Sequence, residues 1–195
     1  MWVRFVLVGA VLFLGGCTQS APPSDSPAVP VISSAPRNAG AERTVPDDCS
    51  AIATLDDLSR ILATFVAGPV QRVVGVPQDS IGRTARLDCY YGVPAGQALA
   101  SAKIWIGLTG YVNAESARKR LTATVGDLRD ASGTVSVSDV AVGADRGVLI
   151  RNADWMLVAE RGRTTVVVKI ASGLVRDDHA GLLLGQVADF VLTRR

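Results

Sequence analysis

The stretch Trp155-Met156-Leu157-Val158-Ala159-Glu160-Arg161-Gly162-Arg163-Thr164-Thr165-Val166-Val167-Val168-Lys169-Ile170 decides the fold. An apolar run and a run rich in β-branched residues flank Arg161-Gly162-Arg163, a short turn with the glycine such turns favour, so residues 155–160 and 164–170 read as an antiparallel hairpin. Val166, Val167 and Val168 are consecutive. A strand that is apolar on both sides is a central strand covered on both faces.

Working outward, residues 135–140 and 148–151 are further strand candidates. Upstream, Ala85, Leu87, Cys89 and Tyr91 alternate along one strand face, and Ala102, Ile104, Ile106 and Leu108 along another, with Trp105 on the opposite side. Residues 92–96, Gly92-Val93-Pro94-Ala95-Gly96, form the loop between them. Three helices complete the pattern. Thr54 caps the first, with Asp56 and Asp57 in the first turn; Leu55, Leu58, Leu62 and Phe65 recur at helical spacing until Gly68-Pro69. Asn113 caps the second, whose apolar stripe is Ala114, Ala117, Leu121, Val125 and Leu128. Asp177 opens the third, which runs to Arg194 with Leu183, Val187, Phe190 and Val191 inward. Short connections make the sheet antiparallel, and helices must cover one face to close a core. The expectation is an α+β, two-layer domain of about five to six strands and three helices over residues 47–195.

The first 46 residues have no core pattern. Residues 1–16 carry Arg4, an apolar run from Phe5 to Leu14, and the small residues Gly15 and Gly16 before Cys17. The run is about half of the ~20 residues a bilayer span needs, so it reads as a signal peptide. Leu14-Gly15-Gly16-Cys17 resembles the lipobox of bacterial lipoproteins. That resemblance implies cleavage before Cys17, a thioether-linked lipid on its sulfur and an N-acyl chain. Two chains anchor stably where one does not. Residues 18–46 are Ser-, Pro- and Ala-rich, an extended tether reaching on the order of 90 Å at ~3.1 Å per residue. The expected location is the extracytoplasmic face of the cell membrane, reached through covalent lipid at Cys17.

Cys49 and Cys89 remain. In an exported chain paired thiols form disulfides, and this closure is worth roughly 4 kcal/mol of chain entropy. A metal site would need more ligands, and the single histidine, His179, lies far along the chain. No metal and no cofactor are expected.

Charge excludes a polyanion partner. Of 20 Lys plus Arg and 18 Asp plus Glu, only Arg4, Arg37, Arg43, Asp25 and Glu42 precede Asp47, so the domain is almost neutral. Its one basic run, Arg118-Lys119-Arg120, lies on the polar side of a helix, and no nucleic-acid footprint is present. The excess of Arg over Lys, with abundant Ala, Val and Gly, reads as coding bias.

Asp48-Cys49 before a capped helix, Gly68-Pro69 after it, Cys89-Tyr90-Tyr91, Val140-Ala141-Val142-Gly143-Ala144-Asp145, the glycine-turned hairpin and the closing helix together resemble actinobacterial cell-envelope lipoproteins. That family's domain has no assigned function. The layout is similar to mycobacterial lipoproteins and to extracellular sensor modules of some of their kinases, and the similarity spans about residues 50–195. Where those proteins commonly carry Trp after the second Cys, this chain has Tyr90 and Tyr91.

Catalytic chemistry finds no support. His179 sits at a helix start with no Gly-x-Ser-x-Gly elbow to activate. Asp56 with Asp57, and Asp177 with Asp178, are adjacent acids that suit helix starts rather than paired catalytic carboxylates. Gly143, Gly147 and Gly162 make no phosphate loop. Tyr90, Tyr91, Trp105 and Tyr111 are left over, and Tyr90 and Trp105 fall on the less apolar side of their strands, where aromatics line binding grooves. The expectation is a non-enzymatic interaction or sensing module with an envelope protein partner. The alternative is a carrier holding a lipid or other apolar ligand between sheet and helices.

Overall fold

In the computed structural model, residues 43–131 and 133–194 are described. The signal peptide, Cys17 and the tether up to residue 42 lie outside the described residues.

The strands are β1 (Val70–Gly75), β2 (Arg83–Tyr91), β3 (Ile104–Tyr111), β4 (Ser136–Val142), β5 (Asp145–Arg151), β6 (Trp155–Arg161) and β7 (Thr164–Ile170). The helices are α1 (Leu55–Leu62), α2 (Ala114–Asp130) and α3 (Ala180–Thr193). All seven strands form one sheet in the order β1-β2-β3-β7-β6-β5-β4, every neighbouring pair antiparallel. The α+β antiparallel expectation holds, with one more strand than the five to six expected. The addition is β1, whose residues are almost all exposed and therefore carry no burial alternation.

This order explains the helices. β3 lies mid-sheet and β4 at the far edge, so the chain between them must cross β7, β6 and β5. It does so as α2, whose Val125, Leu121 and Leu128 pack with Val158, Ile150 and Val167. α1 and α3 lie on the other face. There Leu58, Leu62, Leu184, Val187 and Val191 meet Leu87, Ile106, Leu108, Leu157 and Val166. The expected two layers, with helices on one face, are thus corrected: helices cover both faces. The alternation of the hairpin carries this. Leu157 and Ala159 point to the α1/α3 core while Val158 between them points to α2, and Val166, Val167 and Val168 divide in the same way.

Helix ends follow local chemistry. Thr54 and Asp57 form a reciprocal capping box, and Asn113 Oδ1 accepts from Ser116 N–H at 2.8 Å. α1 stops earlier than the periodicity suggests, because Ala63 adopts a left-handed conformation (φ 49°) and ends the helix. Phe65, expected inward, is 82% exposed. α3 starts at Ala180 rather than Asp177, with His179 as its N-cap residue.

The disulfide is present. Cys49 and Cys89, Cα atoms 5.7 Å apart, join the 3₁₀ turn Cys49–Ala51 to β2, the strand next to the β1 edge. Tyr91 lies beneath that turn, fully buried, and donates its hydroxyl to Ala53 O (3.1 Å) and Cys49 O (3.3 Å). Residues 43–46, which the sequence assigns to the tether, touch the domain. Arg43 reaches Ala51 O (2.6 Å) and Val191 O, its carbonyl accepts from Thr164, and Val45 packs on the core.

Candidate functional site

On the α2 side of the sheet, α2 packs over β3, β5, β6 and β7. Toward the β1 edge that face stays open, and the residues whose parity points them there form a connected group. Arg86, Asp88 and Tyr90 alternate along β2; Trp105 and Gly107 do so along β3. The register sets Tyr90 opposite Trp105 and Asp88 opposite Gly107.

Gly107 makes the arrangement possible. A Cβ there would stand 2.7 Å from Asp88 Oδ1 and 3.3 Å from the Trp105 ring. Without one, the indole leans over Gly107 and donates Nε1–H to Asp88 Oδ1 at 3.1 Å. Arg86 completes the carboxylate's partners, Nε to Oδ2 at 2.7 Å and Nη2 to Oδ1 at 3.1 Å. The Tyr90 ring runs nearly parallel to the indole, 13° between planes and 6.2 Å between centroids. Asp88 is buried, while Tyr90, Trp105 and Arg86 are half-buried. Burial raises the Tyr90 phenol above the ordinary tyrosine range; the Asp88 charge adds to the rise and Arg86 opposes it. The hydrogen bond to Asp88 raises the Arg86 guanidinium, burial opposes this, and the Asp88 charge reinforces it. Beyond Trp105 the row continues with its register partner Lys169, paired to Asp154 at 2.9 Å.

Both Asp88 oxygens accept from fixed donors, so this carboxylate orients the indole and is not placed to serve as a base. What the group presents is a held aromatic surface with cationic neighbours. Sequence parity marked Tyr90 and Trp105. It missed Arg86 and Asp88, although their alternation opposite Leu87 and Cys89 was the available signal.

Several of the other sequence candidates have structural partners. Asp177, expected to open the last helix, instead accepts from Trp155 Nε1 at 3.0 Å and pairs with Arg151, whose guanidinium lies 4.6 Å over the Trp155 ring. It is a second Trp–Asp–Arg group on the opposite side of the sheet. Asp178 pairs with Arg176, and His179 lies exposed beside both. Asp57 binds Thr54, Arg60 and Arg194. Arg118 of the basic run bonds Glu160 at 3.0 Å. Val140-Ala141-Val142-Gly143-Ala144-Asp145 is the β4–β5 turn, with Gly143 left-handed (φ 57°); Arg161 ties Asp145 to Asp189 of α3 at 2.6 and 2.8 Å. Tyr111, like Tyr91, is buried. Among the described residues no group of three or more His, Cys, Asp or Glu is set to hold a metal ion.

Between the sheet and the α1/α3 layer, Leu58, Ile106, Leu108, Leu184 and Val187 fill the space at 0% exposure. A pocket of about 450 Å³ lies elsewhere, at the surface beside the disulfide, bounded by Asp48, Ala53, Leu55, Val70 and Arg72. Among the described residues no helix is long and apolar enough to cross a membrane.

No protein family and no curated protein matches this sequence. Among solved structures, the extracellular domain of PknH from Mycobacterium tuberculosis is similar, with a TM-score of 0.46 and 12% identity, covering 77% of this chain and 98% of that one.

Proposed function

We propose that this chain is a non-enzymatic, extracytoplasmic binding module, anchored by lipid on Cys17, that docks an envelope partner on the open sheet face around Tyr90 and Trp105. The observation that carries the reading is the Trp105 indole, pinned by Asp88 over a glycine while remaining half-exposed. A large ring already held in one orientation loses little freedom on binding, which is the property of an interaction anchor. The Cys49–Cys89 bond supports an oxidising compartment. The Leu14-to-Cys17 pattern supports the anchor. Asp57, Asp88, Asp177 and Asp178 are held by Arg, Trp or Thr54 partners, which fits adhesion better than proton transfer.

Two experiments test it. Photo-crosslinking from position 90 in the anchored full-length chain should give a discrete adduct that Trp105→Ala removes; an adduct indifferent to Trp105 would overturn the docking face. Labelled fatty acid should enter the wild-type chain and not Cys17→Ala; incorporation into both would overturn the anchor.

A further inference from the structure

Among the described residues β1 ends the sheet and no strand pairs with its outer edge, which is apolar: Val70, Val73 and Val74 are 41, 40 and 61% exposed, and Val76 just beyond the strand is 73% exposed. Which backbone groups face outward follows from the ladder. Ala171 N–H donates to Lys103 O, and Gly92 N–H donates to Pro69 O, each at an N–O distance of 2.9–3.0 Å. Bonding pairs alternate in antiparallel sheets. Odd-numbered residues of β3 therefore bond β7 and even-numbered ones bond β2. Carried across β2, the same alternation joins Gln71, Val73 and Gly75 to β2. The N–H and C=O of Val70, Arg72 and Val74 point away from the protein.

Edges are ordinarily guarded by charge. Here the one charge on the strand, Arg72, folds back to Asp47 O (2.7 Å) and Asp48 (3.5 Å) and leaves the edge bare. From this we infer that β1 pairs antiparallel with β1 of a second copy, with Val73 on the two-fold axis. The register follows from complementarity. Centring on Arg72 would set like charges opposite each other. Centring on Val73 sets Arg72 against the partner's Val74 and engages the outward N–H and C=O of both, while Val76, whose carbonyl accepts from Arg83 Nε of its own chain at 3.2 Å, lies beyond the strand. An axis perpendicular to the sheet places both Tyr90–Trp105 groups on one continuous face, which becomes bivalent. The paired edge is small, of the transient class below about 1,200 Å², so association depends on two copies sharing a surface. Failure of this pairing would leave the docking face of a single copy untouched.

Directly opposed residues in a non-hydrogen-bonded antiparallel pair have Cα atoms about 4.5 Å apart, within the range of about 4.4–6.8 Å that a disulfide spans. The full-length chain carrying Val73→Cys, exported in a bacterial envelope, should give a reducible species of twice the monomer mass under mild oxidation. Val74→Cys should not, because each Val74 faces the partner's Arg72. Adding Val74→Pro to Val73→Cys removes an outward N–H without touching the β1–β2 ladder, and the crosslinked species should be lost. Equal crosslinking at 73 and 74, persistence with the proline, or a dominant adduct to a different protein would each overturn the proposal. Should Val73→Cys accumulate poorly, co-expressed Arg72→Cys and Val74→Cys chains, which face one another in this register, should crosslink only when both are present; no heterotypic product would overturn it equally.

Discussion

Trp105 Nε1 donates to Asp88 Oδ1 across the β2–β3 pair at 3.1 Å, and the volume that lets the indole lie there is the side chain that Gly107 lacks. The bond is therefore a property of three positions on two strands. Removing the Asp88 carboxylate, or filling the space at Gly107, releases the ring.

Gly107→Ala tests this directly. Its methyl group would press on a buried carboxylate and on the indole, and overpacking of this kind costs about 1–3 kcal/mol. A lowered midpoint in denaturant and a more mobile tryptophan signal are the expected readings. Unchanged stability with unchanged fluorescence would mean that the glycine is not what seats the ring.

The site shows how far sequence reaches. Parity alone put Trp105 opposite Ile104 and Ile106, and Tyr90 opposite Cys89 and Tyr91, because burial on one face writes a period of two. That Tyr90 meets Trp105 depends on register, which the loop over residues 92–103 sets and no local pattern encodes. β1 was invisible for the complementary reason: with neither face buried, Val70, Arg72 and Val74 differ little from Val73. The side on which α2 packs is half-written in the sequence, since Val166, Val167 and Val168 call for cover on both faces while no pattern in the helices assigns them to different ones. Asp177 went astray because a helix start and an indole compete for the same carboxylate, and here the indole and Arg151 hold it.

The disulfide and Tyr91 hold the same turn and should act together. Removing the Cys49–Cys89 bond should cost about 2–5 kcal/mol, and Tyr91→Phe about 1 kcal/mol through the bonds lost at Ala53 and Cys49. Denaturant titrations of the wild type, each single variant and the double variant should reveal non-additivity, because releasing the turn by one route weakens the other contact. Strict additivity would show that the two supports are independent.

Stability should fall on both sides of a broad plateau in pH. Burial alone would raise Asp57, but hydrogen bonds from Thr54 and then Arg194 outweigh it and hold the carboxyl below the ordinary aspartate range. A group lowered in the folded state contributes above its unfolded value, so this contribution fades as pH drops below about 4. Tyr91 has the opposite sign. Burial pushes its phenol well above the ordinary range. Its contribution is complete below about pH 10 and is lost as pH climbs beyond, because the unfolded chain ionises first. Asp57→Asn should flatten the acid limb and Tyr91→Phe the alkaline limb. An alkaline limb unchanged in Tyr91→Phe would assign that loss to other groups.

Gly185→Ala should be among the most damaging single-methyl changes in the domain. Ala is ordinarily the better helix residue, by about 1 kcal/mol over Gly, so propensity alone argues for stabilisation. Packing argues the reverse: a Cβ at Gly185 would overlap the Ala141 carbonyl oxygen, and Gly181, one turn earlier, already lies against Val140 and Leu149. A backbone carbonyl cannot swing aside as a side-chain tip can. α3 must therefore lift from β4, loosening the neighbouring Arg161–Asp189 pair and opening the core around Leu184 and Val187. Packing should win, with a net loss of about 3 kcal/mol or more and earliest hydrogen-exchange deprotection along β4. A more stable Gly185→Ala chain would mean that the helix rides higher over the sheet than this contact implies.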